Sequence, residues 1–341
     1  MRKPLVSVLV PIYNVEQYLG DCLDSLSNQT MQDIEILLLN DGSTDGSRQI
    51  AEEYCYKDDR VSLTSQENRG PGYARNYLLS KAQGEYVFFV DSDDYIDSNT
   101  VELLYKNSKL LNTDILVFNG RAFFDYNDHI EYEKKKYFNL NKMDEGVILT
   151  GLEFTQYTNG MIKSACIKLF NRDFLLKNSI KFPEYILGED VEFFYKSMIH
   201  AKRVSYIDHV GYYRRYRANS IMTEKNINNI KDRINGFSRI TALVEQINED
   251  DFKRIISNQL TMYAFGLWVM SMNRTKNNER NILAYDLYNR GIIAYINNNR
   301  YGLIQIMLSL IVLLPNWLMF MKILVCKIIK KVYRVKTRLL M

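Results

Sequence analysis

Two runs within the first 90 residues, Leu5-Val-Ser-Val-Leu-Val10 and Tyr86-Val-Phe-Phe-Val90, are apolar at nearly every position rather than at every second one. A strand of that kind has to be covered on both faces, the condition of a parallel sheet flanked by helices. The sequence between them supplies the cover. Val15, Tyr18, Leu19, Cys22, Leu23 and Leu26 fall on one helical face. Ile34–Leu39 and Val61–Thr64 are predicted as strands, and the stretches around Ile50–Tyr54 and over Gly72–Lys81 as helices. After Val90 a helix from about Asn99 to Leu111 and a strand at Ile115–Phe118 are expected. Strand and helix in alternation imply βαβ units and an α/β fold class.

The pattern weakens after residue 120. Arg121 to about Asn141 is aromatic and charged without period and is expected to be a loop or lid with short strands. Val191, Phe194, Tyr195 and Met198 return to helical spacing, and Val204–Ile207 and Gly211–Tyr216 look like two strands. Asn226 to about Asn299 is mostly helical in pattern. This suggests four segments: 1–120, 121–225, a helical extension over 226–300, and a tail over 301–341.

The net charge of +4 conceals an asymmetry. Nine of the 44 basic residues follow Asp286 and none of the 40 acids does, leaving 35 basic against 40 acidic residues up to that point. A nucleic-acid binder carries its basic excess on the folded body, so nucleic acid is not an expected partner. Here the excess sits on an apolar tail, and that points to an anionic membrane surface. Leu303–Leu314 and Leu318–Ile329 are separated by Pro315-Asn316, and each is shorter than the roughly 20 residues of a spanning helix. Lys322, Lys327, Lys330, Lys331, Arg334, Lys336 and Arg338 fit a helix lying in the headgroup region, so 303–338 is expected to attach peripherally. The amino terminus enters the first strand with no signal-peptide pattern, so the expected location is the cytoplasmic face of the cell membrane. Cys22, Cys55, Cys166 and Cys326 show no CxxC spacing and read as reduced core cysteines.

In an open parallel sheet the ligand crevice lies beyond the carboxyl ends of the strands. The first strand ends in Pro11-Ile-Tyr13-Asn14, the second in Asn40-Asp41-Gly-Ser-Thr-Asp-Gly-Ser47, and the fourth in Asp91-Ser92-Asp93-Asp94. An aromatic ring, a carboxylate acceptor and a carboxylate pair along one edge suit a base, an imide N–H and a metal diphosphate. If the chain stays extended, Asp91 and Asp93 point to one side and suit Mg²⁺ or Mn²⁺ shared with substrate phosphates. An acidic turn that merely starts the next helix is the plainer alternative. Gly70-Pro-Gly72-Tyr-Ala-Arg75 lacks the third glycine of a dinucleotide fingerprint, which excludes NAD. Arg75 either faces a diphosphate through its planar fork or is a solvated helix residue. Glu189-Asp190 precedes a helix, where a carboxylate is rigid and is expected to stay ionised, as N-cap or first-turn acid complementing the dipole, as base, or as both. Tyr213-Arg214-Arg215-Tyr216-Arg217 with Ser220 is a basic aromatic cluster for diphosphate neutralisation, or a solvated strand face.

Taken together, Ser7–Asn14, Leu39–Ser47, Asn68–Asn76, Asp91-Ser-Asp93 and Gly188-Glu-Asp190 resemble the family 2 glycosyltransferases of GT-A fold over about the first 220 residues. The resemblance implies a Rossmann-like mixed, mainly parallel sheet, and inverting, metal-assisted transfer of a sugar from a nucleotide donor, usually a UDP-sugar. It also implies a glycan or polyprenyl-diphosphate-linked acceptor, as in bacterial capsule, exopolysaccharide or O-antigen synthesis. Pro11 and Tyr13 would pack on the nucleobase, Asp41 would accept from the uracil imide, and Arg75 would contact the nucleotide. Asp91 and Ser92 would face the ribose or the metal's shell, and Asp93, with Asp91, would bind Mn²⁺ or Mg²⁺. Asp190 matches the base, with Glu189 beside it; Arg215, Arg217 and Ser220 match the diphosphate-binding pattern, and His209 is a further candidate for the metal shell. A non-catalytic, membrane-associated nucleotide-sugar-binding scaffold is the rival from another class. A nucleotidyltransferase would need a glycine-rich basic loop after its first strand, and Pro11–Asn14 is not one. The catalytic reading requires the acidic edge and Asp190 to share one cleft.

Overall fold

In a computed structural model the structure describes residues 3–126, 129–136, 144–158, 163–184, 188–216 and 227–245, with isolated positions up to 263. The chain divides into two compact units, Met1–Glu224 and Lys225–Met341.

The first unit begins with the alternation expected from its sequence: β1 (Val6–Ile12), α1 (Glu16–Ser27), β2 (Ile34–Asp41), α2 (Ser47–Lys57), β3 (Val61–Gln66), α3 (Pro71–Lys81) and β4 (Tyr86–Phe89). β1 pairs in parallel with both β2 and β4, and β3 lies parallel beyond β2. Val6, Val8, Leu9, Val10 and the whole of β4 are sealed from solvent, as their unbroken apolar runs require. The leucine–cysteine face of α1 (Leu19, Cys22, Leu23, Leu26) is buried. Cys22 and Cys166 are buried free thiols, and Cys55 is a partly buried one.

The second half of this unit adds β5 (Tyr95–Ile96), α4 (Thr100–Leu111), β6 (Ile115–Tyr126), β7 (His129–Lys136), α5 (Gly151–Tyr157), β8 (Lys168–Asn171), α6 (Arg172–Lys177), α7 (Glu189–His200) and β9 (Val204–Tyr216). Nine strands among the described residues form one mixed sheet, in the order β3-β2-β1-β4-β8-β6-β9-β5 with β7 on the far half of β6. β8 runs antiparallel between β4 and β6 and so joins the two halves.

Two expectations are corrected here. The stretch from Arg121 holds strands, as expected, but they are long rather than short: β6 continues to Tyr126 and hairpins into β7, and 137–141 lies outside the described residues. Its aromatic residues pack across strands, Phe123 against Tyr95 and Phe124 against Tyr216, which hid the period. The two expected strands after α7 are one, β9, whose register against β6 slips around Asn119 where Asp208, His209 and Gly211 interrupt the apolar pattern.

In the second unit α8 (Ile227–Glu245) buries Ile230, Ile234, Phe237, Ile240 and Val244, a helical stripe, and Phe237 stacks on Tyr263. No helix among the described residues is long and apolar enough to cross a membrane. The tail at 303–338 lies outside the described residues, as do Arg217 and Ser220.

Candidate active site

The carboxyl ends of β1, β2 and β4 open on one edge of the sheet, and each is fixed by its neighbours. After β1, Asn14 adopts φ +49°, and its side-chain oxygen accepts from the Thr44 amide at 2.8 Å, lacing the β1 loop to the β2 loop. Tyr13 stands 44% exposed there, with Pro11 at the strand end. Asp41, at the end of β2, is 3% exposed. Its carboxylate accepts from the Gln66 side chain at 2.6 Å and from the amides of Arg69 at 2.9 Å and Gly70 at 2.8 Å. Asp41 therefore holds the loop that leads into α3.

That loop explains the glycines. Gly70 takes φ +85°, a region other residues avoid. At Gly72 a Cβ would lie 2.0 Å from the Pro183 carbonyl oxygen, so α3 meets the segment before α7 with no room for a side chain. Asn76 completes the grip: its amide donates to the Phe182 carbonyl and accepts from the Phe182 N–H, both at 2.9 Å.

The acidic run does not stay extended. The Asp94 amide donates to the Asp91 carbonyl at 3.0 Å, closing a turn with Ser92 buried inside it. The alternation argument for Asp91 and Asp93 therefore fails, because successive side chains no longer oppose one another. Tyr212 on β9 staples the turn: its hydroxyl accepts from the Asp91 amide at 3.3 Å and donates to the Asp94 carboxylate at 2.5 Å. Burial, with Asp93 and Asp91 close by, pushes the Asp94 carboxyl well above the usual carboxylate range. Asp94 is thus the structural acid of the run, and neither it nor Tyr212 was foreseen.

Arg215 is held by several groups of the protein. Its backbone N–H donates to Asp94 at 2.8 Å, Nε to the Asp93 carbonyl at 2.9 Å, Nη2 to Asp21 at 2.7 Å and Nη1 to Asp125. The guanidinium lies between the rings of Tyr18 and Phe123, 4.9 and 4.8 Å from their centres. It pins the acidic turn to α1 and β6. Arg214, beside it on the strand, is a basic residue whose charge also reaches Asp91. His209 shares a 3.2 Å hydrogen bond with Thr100, and burial lowers its proton affinity.

Arg75 is likewise not solvated. Buried to 5% exposure, it donates to Asp91 at 2.8 Å and to Glu189 at 2.5 Å. One guanidinium therefore bridges the acidic turn after β4 and the first residue of α7. Burial alone would raise Asp91, but the charge and hydrogen bond of Arg75, with Arg214 behind, hold it below the usual range.

Asp190 is the next residue of α7, whose N-cap is Gly188 at φ +88°, so it is not the cap. It is half-buried, its Oδ1 is sealed from solvent, and that atom has no hydrogen-bond partner. Burial pushes its carboxyl up to about 7, with Arg75 and Lys168 opposing and Glu189 and Asp91 reinforcing. Burial thus works against the ionised form that a helix start favours. A partnerless carboxylate that titrates near neutrality suits proton abstraction.

Among the described residues no cluster of three or more His, Cys, Asp or Glu side chains is arranged to hold a metal by itself. A Mg²⁺-type cation needs only one or two carboxylates when a diphosphate supplies the rest. Burial first, and then the charges of Asp93 and Asp91, raise the Asp94 carboxyl, so negative charge is concentrated at this turn.

The sequence profile of glycosyl transferase family 2 matches residues 7–177, half of the chain. The chain belongs to that family. The glycosyltransferase GlyG of Streptococcus pneumoniae serotype 4 is 31% identical over 245 residues, 69% of this chain and 79% of GlyG. GlyA of the same organism is 37% identical over 249 residues, 70% of this chain but only 34% of GlyA. Among solved structures, residues 1–349 of Staphylococcus aureus TarS in complex with UDP-GlcNAc superpose with a TM-score of 0.71 at 26% identity, covering 89% of this chain and 83% of that one. In this family 2 glycosyltransferase the matched region ends at Lys177, before Glu189-Asp190, so the arm carrying Asp190 is tied to the matched arm by Arg75 and Asn76.

Proposed function

We propose that this glycosyltransferase moves a sugar, with inversion, from a UDP-sugar to a hydroxyl of a glycan or polyprenyl-diphosphate-linked acceptor in bacterial surface polysaccharide synthesis. The observation that supports the reading is the Arg75 bridge between Asp91 and Glu189, because it ties the acidic turn to the start of α7, where Asp190 follows Glu189. UDP as the nucleotide is supported by the UDP-GlcNAc bound to TarS.

In this reading Tyr13, exposed beside Pro11, stacks on the base. Asp41 acts through the loop it holds, whose Arg69 and Gly70 line the nucleotide side. Asp93, with Asp91, would hold Mn²⁺ or Mg²⁺, which when bound stabilises charge on the leaving diphosphate. Arg214 adds positive charge on the same side. Asp190 accepts the acceptor proton as the hydroxyl oxygen attacks the anomeric carbon; the bond to the diphosphate oxygen breaks on the opposite face, and configuration inverts. Glu189 and Arg75 fix the start of α7 and hence the height of Asp190 in the cleft. The basic apolar tail at 303–338 brings the enzyme to the inner face of the membrane, where a lipid-linked acceptor resides.

A panel of UDP-sugars with Mn²⁺, read by UDP release with and without glycan or lipid-linked acceptors, tests the proposal. Turnover of one donor that disappears in Asp190→Asn supports it; saturable donor binding with no turnover on any acceptor would favour the non-catalytic scaffold.

A further inference from the structure

Behind Asp190 stands a second cation that the reaction as written does not use. Lys168, the first residue of β8, is 1% exposed, in the strand that joins the two halves of the sheet. Its Nζ donates to the Ser164 carbonyl at 2.5 Å and lies 5.4 Å from the centre of the Phe194 ring. Phe194 follows Asp190 by four residues in α7, so the two side chains share one helix face a turn apart. The ammonium therefore sits against the face of α7 that carries Asp190, and each group feels the other's charge. Burying an ammonium is costly unless a countercharge compensates it, and Asp190 offers a sealed oxygen with no hydrogen-bond partner.

We propose that Lys168 is a positioning residue for Asp190: a buried ammonium that favours the carboxylate form of the base and eases loss of the proton taken from the acceptor. The proposal rests on the reading of Asp190 as the base. The charged groups around Asp190 are Arg75 from α3, Glu189 from α7, Asp91 after β4 and Lys168 from β8; those around Lys168 are Asp190 and the Cys166 thiol. The terminal nitrogens of Arg75 are held by Asp91 and Glu189. Burial lowers Lys168 to about 7 and raises Asp190 to about 7, so both groups titrate within the pH range over which transfer would be measured.

The test is the pH profile of kcat with UDP-sugar, Mn²⁺ and acceptor for wild type, Lys168→Met, Lys168→Arg and Asp190→Asn. Removing the positive charge raises the proton affinity of Asp190, so in Lys168→Met the acidic limb moves up by about one pH unit. That is a loss of about tenfold on the acidic side and little on the alkaline side, with donor KM within about twofold. Lys168→Arg, which keeps the charge, leaves the limb within about 0.3 unit of wild type. A Lys168→Met profile superimposed on wild type, or lowered by one factor at every pH, overturns the proposal. If the methionine variant does not fold, a Lys168→Arg limb displaced by about one unit overturns it equally. Wild-type turnover in Asp190→Asn would instead sink the base reading itself, whereas an inactive Asp190→Asn with an unmoved Lys168→Met limb removes only the role of Lys168.

Discussion

A buried carboxylate with an unpaired oxygen is a liability to the fold, and Asp190 lets that liability be measured. Its carboxyl rises from 3.8 to about 7, chiefly by burial. Each unit is worth 1.36 kcal/mol, so ionising Asp190 in the folded chain costs at most about 4 kcal/mol, and roughly 2–4 kcal/mol once water at the mouth of the cleft is allowed for. Because the folded value is raised, the stabilising form is the protonated one. Its contribution is complete below about pH 4 and is lost as pH rises through about 7. Asp190→Asn imitates that neutral form at every pH. Urea unfolding should therefore give wild type and variant nearly equal stability at about pH 4, and a variant more stable by roughly 2–4 kcal/mol at about pH 8. Over the same range transfer should fall by about 10²–10⁴-fold. Equal stabilities at both pH values, or a gain of the same size at both, would refute the burial argument.

Three further outcomes follow from the same contacts. Arg215→Gln leaves the partly buried Asp125 without its partner and frees the acidic turn, while the exposed Asp21 is solvated, and thermal or urea unfolding should show a loss of about 1–3 kcal/mol. Gly72→Ala drives a methyl into the Pro183 carbonyl; calorimetry should find UDP binding within a few-fold of wild type, while turnover falls at least about tenfold because the arm carrying Asp190 is displaced. The full chain should co-sediment with vesicles containing anionic lipid and not with purely zwitterionic ones, and release as salt rises; salt-independent binding would contradict the charge argument.

How far the sequence could be read depended on the range of the interactions. β1 to β4, the helices between them and α4 were legible because their signals are local: unbroken apolar runs for strands buried on both faces, and a helical stripe in α1. The hairpin of β6 and β7 was not, because Phe123 and Phe124 are satisfied by Tyr95 and Tyr216, residues remote in sequence. β8, a four-residue strand running antiparallel to both neighbours, carried no period to recognise. At the site, the types of residue were legible and their partners were not. Asp41, Arg75 and Arg215 were foreseen as ligand contacts, yet each is engaged within the protein, by the 66–70 loop, by Asp91 with Glu189, and by Asp21, Asp125 and the acidic turn. The turn over Asp91–Asp94 depends on Tyr212, more than a hundred residues away, and no spacing rule links the two.

The central claim is that one cleft grips the donor diphosphate through the acidic turn and primes the acceptor through Asp190. Calorimetric titration of UDP with Mn²⁺ into wild type, Asp93→Asn and Asp190→Asn, paired with transfer rates, tests it most directly. The account predicts that Asp93→Asn loses at least about tenfold in Mn²⁺-dependent UDP affinity. It predicts that Asp190→Asn binds UDP within about twofold of wild type while transfer drops at least about a hundredfold. Undiminished UDP affinity in Asp93→Asn, or transfer at the wild-type rate in Asp190→Asn, would contradict it.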